Sequence, residues 1–249
     1  MTNIVSVSCI KGGVGKTTTV VSLGGILAAE GKRVLLVDMD PQCNLTNTFT
    51  EGNFDDTIYE AFRRRKNIPI VNVRTGLDIV PSCADACGIE SEFLTRPDIQ
   101  FTLKNLLMPV VDNYDWIFID SPAQLGIALG NSLTASNKVL IPMSSDKYSF
   151  QGLQQAADYV EMAKNLNPAL EIIGIFFTKY RSTRKVDRIA RLTVAESIYG
   201  EKLLNVSIRE NAAIVQAPLH MTDVWNYKPD SNGAQDYKAL LDELKTKAF

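Results

Sequence analysis

The residues best suited to chemistry lie together near the start of the chain, in the stretch 9–18 with the sequence CIKGGVGKTT. Its three glycines let the backbone bend so that several N–H groups converge on one anion. Lys16 can reach the β- and γ-phosphate oxygens of a nucleotide, and the Thr17 hydroxyl can complete the shell of a Mg²⁺ ion. The stretch therefore predicts a phosphate-binding loop.

Two predicted elements position this loop. Residues 3–8 form an apolar, β-branched run typical of a buried strand. Residues 16–30 place apolar side chains such as Leu23 and Leu27 at helical spacing. A strand, a glycine-rich turn and a helix in this order direct the positive end of the helix dipole at the bound phosphate.

Carboxylates follow two further predicted strands. Residues 33–38 indicate a buried strand that ends in Asp38 and leads into a polar loop containing Asp40. Because ligands bind at the carboxyl ends of parallel strands, we expect these two acids beside the phosphate-binding loop. Residues 116–119 are apolar and are followed by Asp120, which is the Walker B pattern, in which the acid holds Mg²⁺ through its water shell.

The remaining chain alternates predicted strands and helices without a linker or an internal repeat. The further strands are expected at residues 76–81, 138–142, 171–178 and 203–208, and the further helices at 56–62, 98–111, 149–166 and 234–247. This alternation predicts an α/β fold with a doubly wound, mainly parallel sheet and helices on both faces. We expect a single domain over residues 1–249.

Composition limits the classes of protein. The formal net charge is −2 and the pI is about 5.6, so no global positive field draws the chain to nucleic acid, and DNA binding would need a local patch. No apolar run approaches the roughly 20 residues of a membrane span. The four cysteines make no disulfide framework, and Cys83 and Cys87 form one close pair without a second pair at zinc-like spacing. Reduced thiols in a cytoplasmic protein are the expectation.

The phosphate-binding stretch departs from the general P-loop pattern, which places a glycine where this chain has Ile10. The sequence KGGVGKT, with a second lysine at Lys11, resembles the deviant Walker A motif of the ParA/MinD group of ATPases. The strings VLLVDMDPQCN and DWIFIDSPAQLG resemble two further motifs of the ParA family, with Cys43 in place of a glycine and Ala123 in place of a proline. The resemblance covers the chain from Ile4 to about Leu244.

This resemblance implies a slow, Mg²⁺-dependent ATP hydrolase that is switched by dimerisation and stimulated by a partner. Lys11 would cross the dimer interface to the partner subunit's nucleotide, Lys16 would hold the phosphates, and Asp40 would orient the attacking water. The Mg²⁺ site would involve Thr17, Asp40 and Asp120. The expected ATP contacts are Lys11, Gly12, Gly13, Val14, Gly15, Lys16, Thr17, Thr18, Thr178 and Ile208.

A basic segment follows the strand predicted at 171–178. Arg184, Arg188 and Arg191 fall at i, i+4 and i+7 and would make one stripe on a helix, with Lys179 and Arg181 just before it. Such a stripe can neutralise phosphates without reading bases. A solvated charged face is the alternative.

The resemblance also implies partners and a location. The chain would form a homodimer with ATP, bind double-stranded DNA nonspecifically, and respond to a ParB-like activating protein during segregation of a plasmid or chromosome. It would be cytoplasmic and nucleoid-associated in a bacterium or archaeon, without stable membrane association. The alternatives are a positioning ATPase for a protein cargo, a MinD-like regulator at the membrane surface, and an iron-protein-like electron donor.

Overall fold

A seven-stranded sheet forms the centre of the protein in the computed structural model, which describes residues 2–52 and 54–248. The strand order is β3-β4-β2-β5-β1-β6-β7, and every pair is parallel except β3 and β4. The strands are β1 (Asn3–Val7), β2 (Val34–Asp38), β3 (Val71–Arg74), β4 (Leu77–Val80), β5 (Trp116–Asp120), β6 (Lys138–Met143) and β7 (Glu171–Phe177).

The central strands are buried along their length, because helices cover both faces of the sheet. Alternate residues of β2 show this division. Leu36 packs with α1 (Lys16–Ala29) and its neighbours, whereas Leu35 and Val37 pack in a second cluster on the opposite face. The expected doubly wound, mainly parallel α/β fold is therefore confirmed.

Ten further α-helices complete the two layers in the described residues. They are α2 (Asn44–Phe49), α3 (Ile58–Arg64), α4 (Ile89–Glu92), α5 (Thr102–Leu107), α6 (Ile127–Ala135), α7 (Ser149–Ala163), α8 (Lys185–Ala195), α9 (Ala212–Gln216), α10 (Val224–Tyr227) and α11 (Asn232–Ala248). Within residues 2–52 and 54–248, none of the helices has the length and apolar character needed to cross a bilayer.

The predicted last strand, at residues 203–208, is not a continuous strand. Leu204 N–H and Ile208 N–H donate to β7 carbonyls at 2.8 Å, but only isolated bridges form. The N–H groups of Asn205 and Val206 instead donate to the Glu243 carboxylate on α11, at 2.8 and 2.9 Å. A carboxylate from a distant helix therefore takes the donors that a strand ladder would use.

Two other elements differ from the sequence expectation. β3 was not predicted, and it pairs antiparallel with β4 through a tight turn at Gly76, whose φ of 75° is in the left-handed region. The helix expected over residues 98–111 is a short 3₁₀ turn at Ile99–Phe101 followed by α5. Pro109 follows shortly after α5, where a longer helix would have needed its N–H.

Candidate functional site

The loop between β1 and α1 has an open backbone cradle. Gly13 and Gly15 have φ angles of 72° and 87°, which side-chain-bearing residues rarely adopt. No atom lies within 4 Å of the position a Cβ would take at Gly12 or Gly13, so the concave side of the loop is free. Lys16 is the first residue of α1, and the positive end of that helix dipole points into the same space.

The two lysines of the loop point to different partners. Lys16 is only 7% exposed, and its Nζ lies 3.4 Å from the Lys11 carbonyl oxygen, which closes the loop. Lys11 extends its ammonium group to the segment between β6 and α7, where it forms an ion pair with Asp146. The loop therefore presents one buried cation to the cradle and holds the other at its edge.

Two carboxylates lie side by side at the carboxyl ends of neighbouring strands. Asp38 of β2 is in register with Asp120 of β5, and both side chains are fully buried. Burial raises the pKa of Asp38 to about 6, although hydrogen bonds from Thr46 oppose the rise. Burial, and then the neighbouring Asp38, raise the pKa of Asp120 well above its usual range. The two neighbouring carboxylates therefore repel each other when ionised, and a cation would relieve this repulsion.

Asp120 fits a metal site. Neither of its carboxylate oxygens has a hydrogen-bond partner among the described residues, which is costly for a buried carboxylate. The Thr17 hydroxyl is near enough to counter part of the pKa rise, and Lys16 acts in the same direction. No cluster of three His, Cys, Asp or Glu side chains suited to a metal occurs in residues 2–52 and 54–248. The donor set suits a hard ion that completes its shell with water and phosphate oxygens.

Asp38, which the sequence places beside the phosphate-binding loop without a role of its own, organises the loop that carries Asp40. Its carboxylate accepts hydrogen bonds from the Thr46 hydroxyl at 2.7 Å, the Thr46 N–H at 2.9 Å and the Asp40 N–H at 3.1 Å. Asp40 in turn accepts the Gln42 N–H at 2.9 Å and lines the cavity in front of the cradle. Asp38 thus holds the backbone at Asp40, the residue whose side chain lines the cavity.

Cys43 occupies the place where the ParA motif has a glycine. It adopts φ 56° and ψ 28°, the left-handed conformation that glycine takes without cost, and it precedes α2. Its thiol donates to the Pro41 carbonyl oxygen at 3.3 Å. The loop therefore keeps a glycine-like backbone despite the substitution.

A cavity of about 550 Å³ joins these groups. This volume is in the range of small-molecule sites. Of the predicted ATP contacts, Gly12, Gly13, Gly15, Lys16, Thr17 and Thr18 line it, and Asp40 lies on the same wall. Its other lining residues are Val21, Ser22, Gln42, Asn44, Thr48, Ala123, Lys179, Ile214, Ala217, Pro218, Thr222, Asp223 and Val224.

Asp223, which lines the cavity, was not singled out from the sequence. Asp223 is buried there, accepts the Trp225 N–H at 2.9 Å and pairs with Arg74 at 2.5 Å. A Cβ at Gly25 would lie 2.3 Å from the Asp223 carboxylate carbon, so a glycine in α1 permits this approach. The one available signal was the apolar run around Pro218, which the sequence places on no predicted element.

Three predicted nucleotide contacts lie behind the cradle rather than in it. Val14 and Ile208 are buried in the protein and do not line the cavity. Thr178 is also buried, and its hydroxyl donates to the Val14 carbonyl oxygen at 2.9 Å. Thr178 therefore stabilises the backbone of the loop, because its hydroxyl donates to a loop carbonyl oxygen instead of facing the cavity.

The predicted basic stripe is divided by the fold. Lys179 turns to the cradle and donates to the Gly13 carbonyl oxygen at 2.9 Å, and Arg181 pairs with Glu210. Arg191 points inward and donates to the Leu204 and Asn205 carbonyl oxygens at 2.9 and 3.1 Å.

The other two arginines of the stripe remain on the surface. Arg184 and Arg188 are exposed and have no ion pair among the described residues. Lys185, between them, is also exposed. Within the predicted stripe, Arg184 and Arg188 are therefore the described residues that present positive charge to solvent without an ion pair.

Comparison with known proteins gives a consistent picture. A family model described as "AAA domain" matches residues 2–172. The chain is 35% identical over 238 residues to the chromosome-partitioning ATPase Soj of Treponema pallidum, covering 94% of this chain and 93% of that protein.

Two solved structures share the whole architecture. A Borrelia burgdorferi protein described as a plasmid partition protein, bound to AMPPNP, is 25% identical, with a TM-score of 0.85 and coverage of 99% of this chain and 100% of the other. A Mycobacterium smegmatis protein described as cobyrinic acid a,c-diamide synthase, with an ATP analogue and magnesium bound, is 29% identical, with a TM-score of 0.84 and coverage of 97% and 93%.

Proposed function

This chain belongs to the ParA family of P-loop ATPases, and on that premise we propose that it is a partition ATPase that binds and hydrolyses ATP with Mg²⁺. The observation that carries the proposal is the meeting of the glycine cradle, Lys16, Asp40 and Asp120 around one cavity. Relatives named as partition ATPases and a nucleotide-bound neighbour named as a partition protein support it.

Phosphate binding follows from the cradle. The backbone N–H groups at Gly12 to Gly15 surround an anion, and the buried Lys16 ammonium neutralises charge at the β- and γ-phosphates. Because Lys16 is largely removed from water, its attraction for phosphate is stronger than that of a surface lysine.

Thr17 and Asp120 would hold the Mg²⁺ ion, Thr17 through its hydroxyl and Asp120 through water. The bound ion would supply positive charge against the phosphate oxygens. Asp120 is suited to this role because its two oxygens are unpartnered and its ionised form is disfavoured until a cation arrives.

Asp40 would position the attacking water. Asp40 lines the same cavity as the cradle, and its backbone N–H is held by the buried Asp38. A carboxylate held in this way orients a water hydrogen without a large reorganisation during the reaction.

Dimerisation would couple ATP to the cargo. Lys11 of each subunit would contact the other subunit's phosphates, so that ATP favours the dimer and hydrolysis loosens it. Arg184 and Arg188, duplicated across a two-fold axis, would give the dimer a nonspecific DNA-binding surface, which the acidic monomer lacks. A ParB-like partner would stimulate hydrolysis.

Cosedimentation with random-sequence DNA, in ATP, ADP and a non-hydrolysable ATP analogue, tests the proposal together with Mg²⁺-dependent phosphate release. We expect hydrolysis only with Mg²⁺, and DNA binding only with ATP or the analogue. Equal weak DNA binding in all nucleotide states, with hydrolysis intact, would exclude the DNA-partition role and favour a protein cargo. Absence of hydrolysis with and without DNA would refute the ATPase itself.

A further inference from the structure

Lys179 directly follows β7 and has an unusual backbone conformation. Its φ angle is 53°, in the left-handed region that residues with a side chain rarely adopt. The next residue is held in place, because the Tyr180 N–H donates to the Ile208 carbonyl oxygen at 3.0 Å. The Lys179 side chain extends over the phosphate loop and lines the cavity. Backbone strain of this kind is concentrated at functional sites, where the surrounding structure imposes it.

The ammonium group of Lys179 is only partly used within the chain. It donates to the Gly13 carbonyl oxygen at 2.9 Å, and it has no ion pair and no second acceptor among residues 2–52 and 54–248. A lysine ammonium has three protons. Because Lys179 is exposed, its two remaining protons are accessible to a ligand in the cavity.

The hydrogen bond to Gly13 places the Lys179 ammonium beside the phosphate cradle. In a phosphate-binding loop the backbone N–H groups face the anion, so that the carbonyl oxygens are directed away from it. An ammonium group on one of these carbonyl oxygens is therefore at the edge of the cradle. The cation directed at the phosphates is already supplied by Lys16, which is only 7% exposed. Lys179 is thus available for another part of the nucleotide.

The backbone beyond Lys179 adjoins the segment that forms the apolar wall of the cavity. Tyr180 pairs with Arg209, and the chain then continues into α9 and the turn after it. That segment, with α1, supplies the apolar lining residues Val21, Ile214, Ala217 and Pro218. An apolar wall suits a base, and the cradle suits the phosphates. Since the ribose joins base and phosphates, a residue next to both parts of the cavity faces the ribose.

We propose that Lys179 is a nucleotide-binding residue that contacts the nucleoside part of the bound ATP. Its ammonium group donates to a ribose oxygen while it keeps the Gly13 carbonyl, and its methylene chain covers the adjoining edge of the base. The inference rests on the proposed function, because it presumes that ATP occupies this cavity. It assigns Lys179 to the nucleotide, whereas the sequence grouped this residue with the cations expected to bind DNA.

Loss of this contact should weaken nucleotide binding and leave the chemical step unchanged. A hydrogen bond from a charged but solvent-exposed group changes affinity by roughly 5- to 30-fold. A contact to the nucleoside is the same in ATP, ADP and the transition state, so it contributes to binding and not to kcat. The loop should keep its shape, because the buried Thr178 hydroxyl still donates to the Val14 carbonyl oxygen at 2.9 Å.

The experiment measures dissociation constants of the full chain for ADP and for a non-hydrolysable ATP analogue by titration calorimetry with Mg²⁺, and kcat at saturating ATP. Lys179→Met keeps the methylene chain and removes the charge. We expect it to raise both dissociation constants by roughly 5- to 30-fold and to leave kcat within about twofold of wild type. Lys104→Met is the matched control, because Lys104 is an exposed lysine of α5 outside the cavity, and it should change neither quantity.

Three results for Lys179→Met would overturn the inference. Unchanged dissociation constants would show that the ammonium group does not contact the nucleotide. Weaker binding of the analogue alone would place the ammonium at the γ-phosphate. A fall in kcat of more than about twofold would show that Lys179 acts on the reacting phosphate or holds the loop in its active shape.

Lys179→Gly separates a ligand-binding role from a structural one. Glycine adopts a φ of 53° without strain, so we expect a urea midpoint no lower than that of Lys179→Met, together with the same loss of ADP affinity. A glycine variant with wild-type affinity for ADP would overturn the inference. A lower midpoint than that of Lys179→Met would overturn it as well, because the left-handed conformation would then not be strained.

The wild-type chain distinguishes this inference from its premise. A wild-type protein that binds neither ADP nor the analogue refutes the proposed function, and the role of Lys179 falls with it. A wild-type protein that binds both and hydrolyses ATP, while Lys179→Met behaves in the same way, keeps the proposed function and refutes only the role of Lys179.

Discussion

The phosphate loop and the outer surface of α8 are both rich in positive charge, but the fold treats them differently. In the loop, distant residues fix the backbone, since Thr178 donates to the Val14 carbonyl oxygen and Lys179 to the Gly13 carbonyl oxygen, both at 2.9 Å. At α8, the exposed Arg184, which directly precedes the helix, and the exposed Arg188 have no ion pair among the described residues. The loop is therefore a preorganised site, whereas the arginine side chains at α8 are solvated and are not held in one conformation by contacts within the chain.

The packing of α8 explains its surface. The fully buried residues of the helix are Asp187 and Val194, which are 3% and 1% exposed, and Asp187 accepts the Arg181 N–H at 2.6 Å. Ala190 and Arg191 also face the protein. Val186 and Ile189, which a simple helical stripe would place away from the cations and against the core, are 54% and 51% exposed. Asp187, in the first turn of α8, therefore attaches the helix to the protein, and the helix dipole favours an acid at this position. The side chains of Val186 and Ile189 face solvent as a result.

The largest expected difference between the phosphate loop and the α8 surface comes from removing Lys16, the buried cation of the loop. Lys16→Ala is expected to lower kcat for ATP hydrolysis by about 10²- to 10³-fold, because a preorganised charge acts directly on the phosphates. Phosphate release under single-turnover conditions is the measurement. Lys32→Ala, at an exposed lysine, is the control, and an equal loss in both variants would contradict a specific role for Lys16.

Charge removal on α8 should affect DNA and leave the fold intact. Arg184→Ala with Arg188→Ala deletes four cations from a dimer, so we expect the salt slope of DNA binding to fall by about 3 to 4 and affinity at low salt by about 10- to 100-fold. Cosedimentation across a salt series measures both. Arg63→Ala with Arg64→Ala removes the same charge from α3 and should have little effect; a comparable loss there would mean that net charge, not this surface, binds DNA.

The acid pair of the site should make stability depend on pH. The pKa of Asp38 rises to about 6 and that of Asp120 also rises, so the folded state binds protons more tightly than the unfolded chain. Stability is then present below about pH 4 and is lost as pH rises toward 6 and above. We expect the nucleotide-free protein, without Mg²⁺, to unfold at lower urea at pH 8 than at pH 5.

Asp120→Asn sharpens the same prediction. Removing one charge of the pair should raise the free energy of unfolding at pH 7 by about 1–3 kcal/mol and flatten the pH dependence. Asp112→Asn, at an exposed acid, is the control. A wild-type protein that is more stable at pH 8 than at pH 5 would show that the two carboxylates are not in conflict.

Arg191 is part of the basic stripe in the sequence, but in the structure its side chain points toward the protein and donates to backbone carbonyl oxygens. Arg191→Ala is expected to lower the free energy of unfolding by about 1–2 kcal/mol, since the Leu204 and Asn205 carbonyl oxygens lose their donor. Arg188→Ala should change stability by less than about 0.5 kcal/mol. Urea denaturation of both variants measures the difference. Equal losses of stability would mean that the hydrogen bonds of Arg191 to the Leu204 and Asn205 carbonyl oxygens do not stabilise the fold.

The smallest expected effect tests the loop that carries Asp40. Cys43→Gly removes the cost of a left-handed residue, about 1 kcal/mol, but adds entropy to the unfolded chain, so we expect a net gain below about 1 kcal/mol. Cys43→Ala keeps the strain and removes the thiol. If the alanine variant gained as much stability as the glycine variant, the backbone explanation would be wrong.

Much of the architecture was readable from local patterns. The strands that carry chemistry, β1, β2 and β5, were predicted close to their true bounds, because uninterrupted β-branched and apolar runs occur where both faces of a strand are buried. The segment 203–208 was also predicted as a strand, although Asn205 and Ser207 interrupt its apolar run, and it lacks a ladder because Glu243 takes two of its N–H groups. That competitor lies on another helix, and no local pattern reveals it.

The candidate site divides in the same way. The sequence predicted the phosphate loop and the positions of Asp38, Asp40 and Asp120, but not the role of Asp38, whose carboxylate accepts the Asp40 N–H and holds that loop. Asp38 reads in the sequence as the polar end of a strand. Its importance arises because Thr46 and Asp120 are brought beside it by α2 and β5. The single-domain expectation and the assigned roles of the site residues stay predictions.

The sequence by itself determined the backbone of the cradle, because glycines permit left-handed φ angles and a strand–turn–helix order aims the helix dipole. Only the tertiary structure decided which acceptor each cation meets. Lys11 reaches Asp146, which is 135 residues away, and Lys179 reaches Gly13, 166 residues away. Backbone conformation follows from neighbours in sequence, whereas the partner of a long charged side chain depends on which distant segments the packed sheet places within its reach.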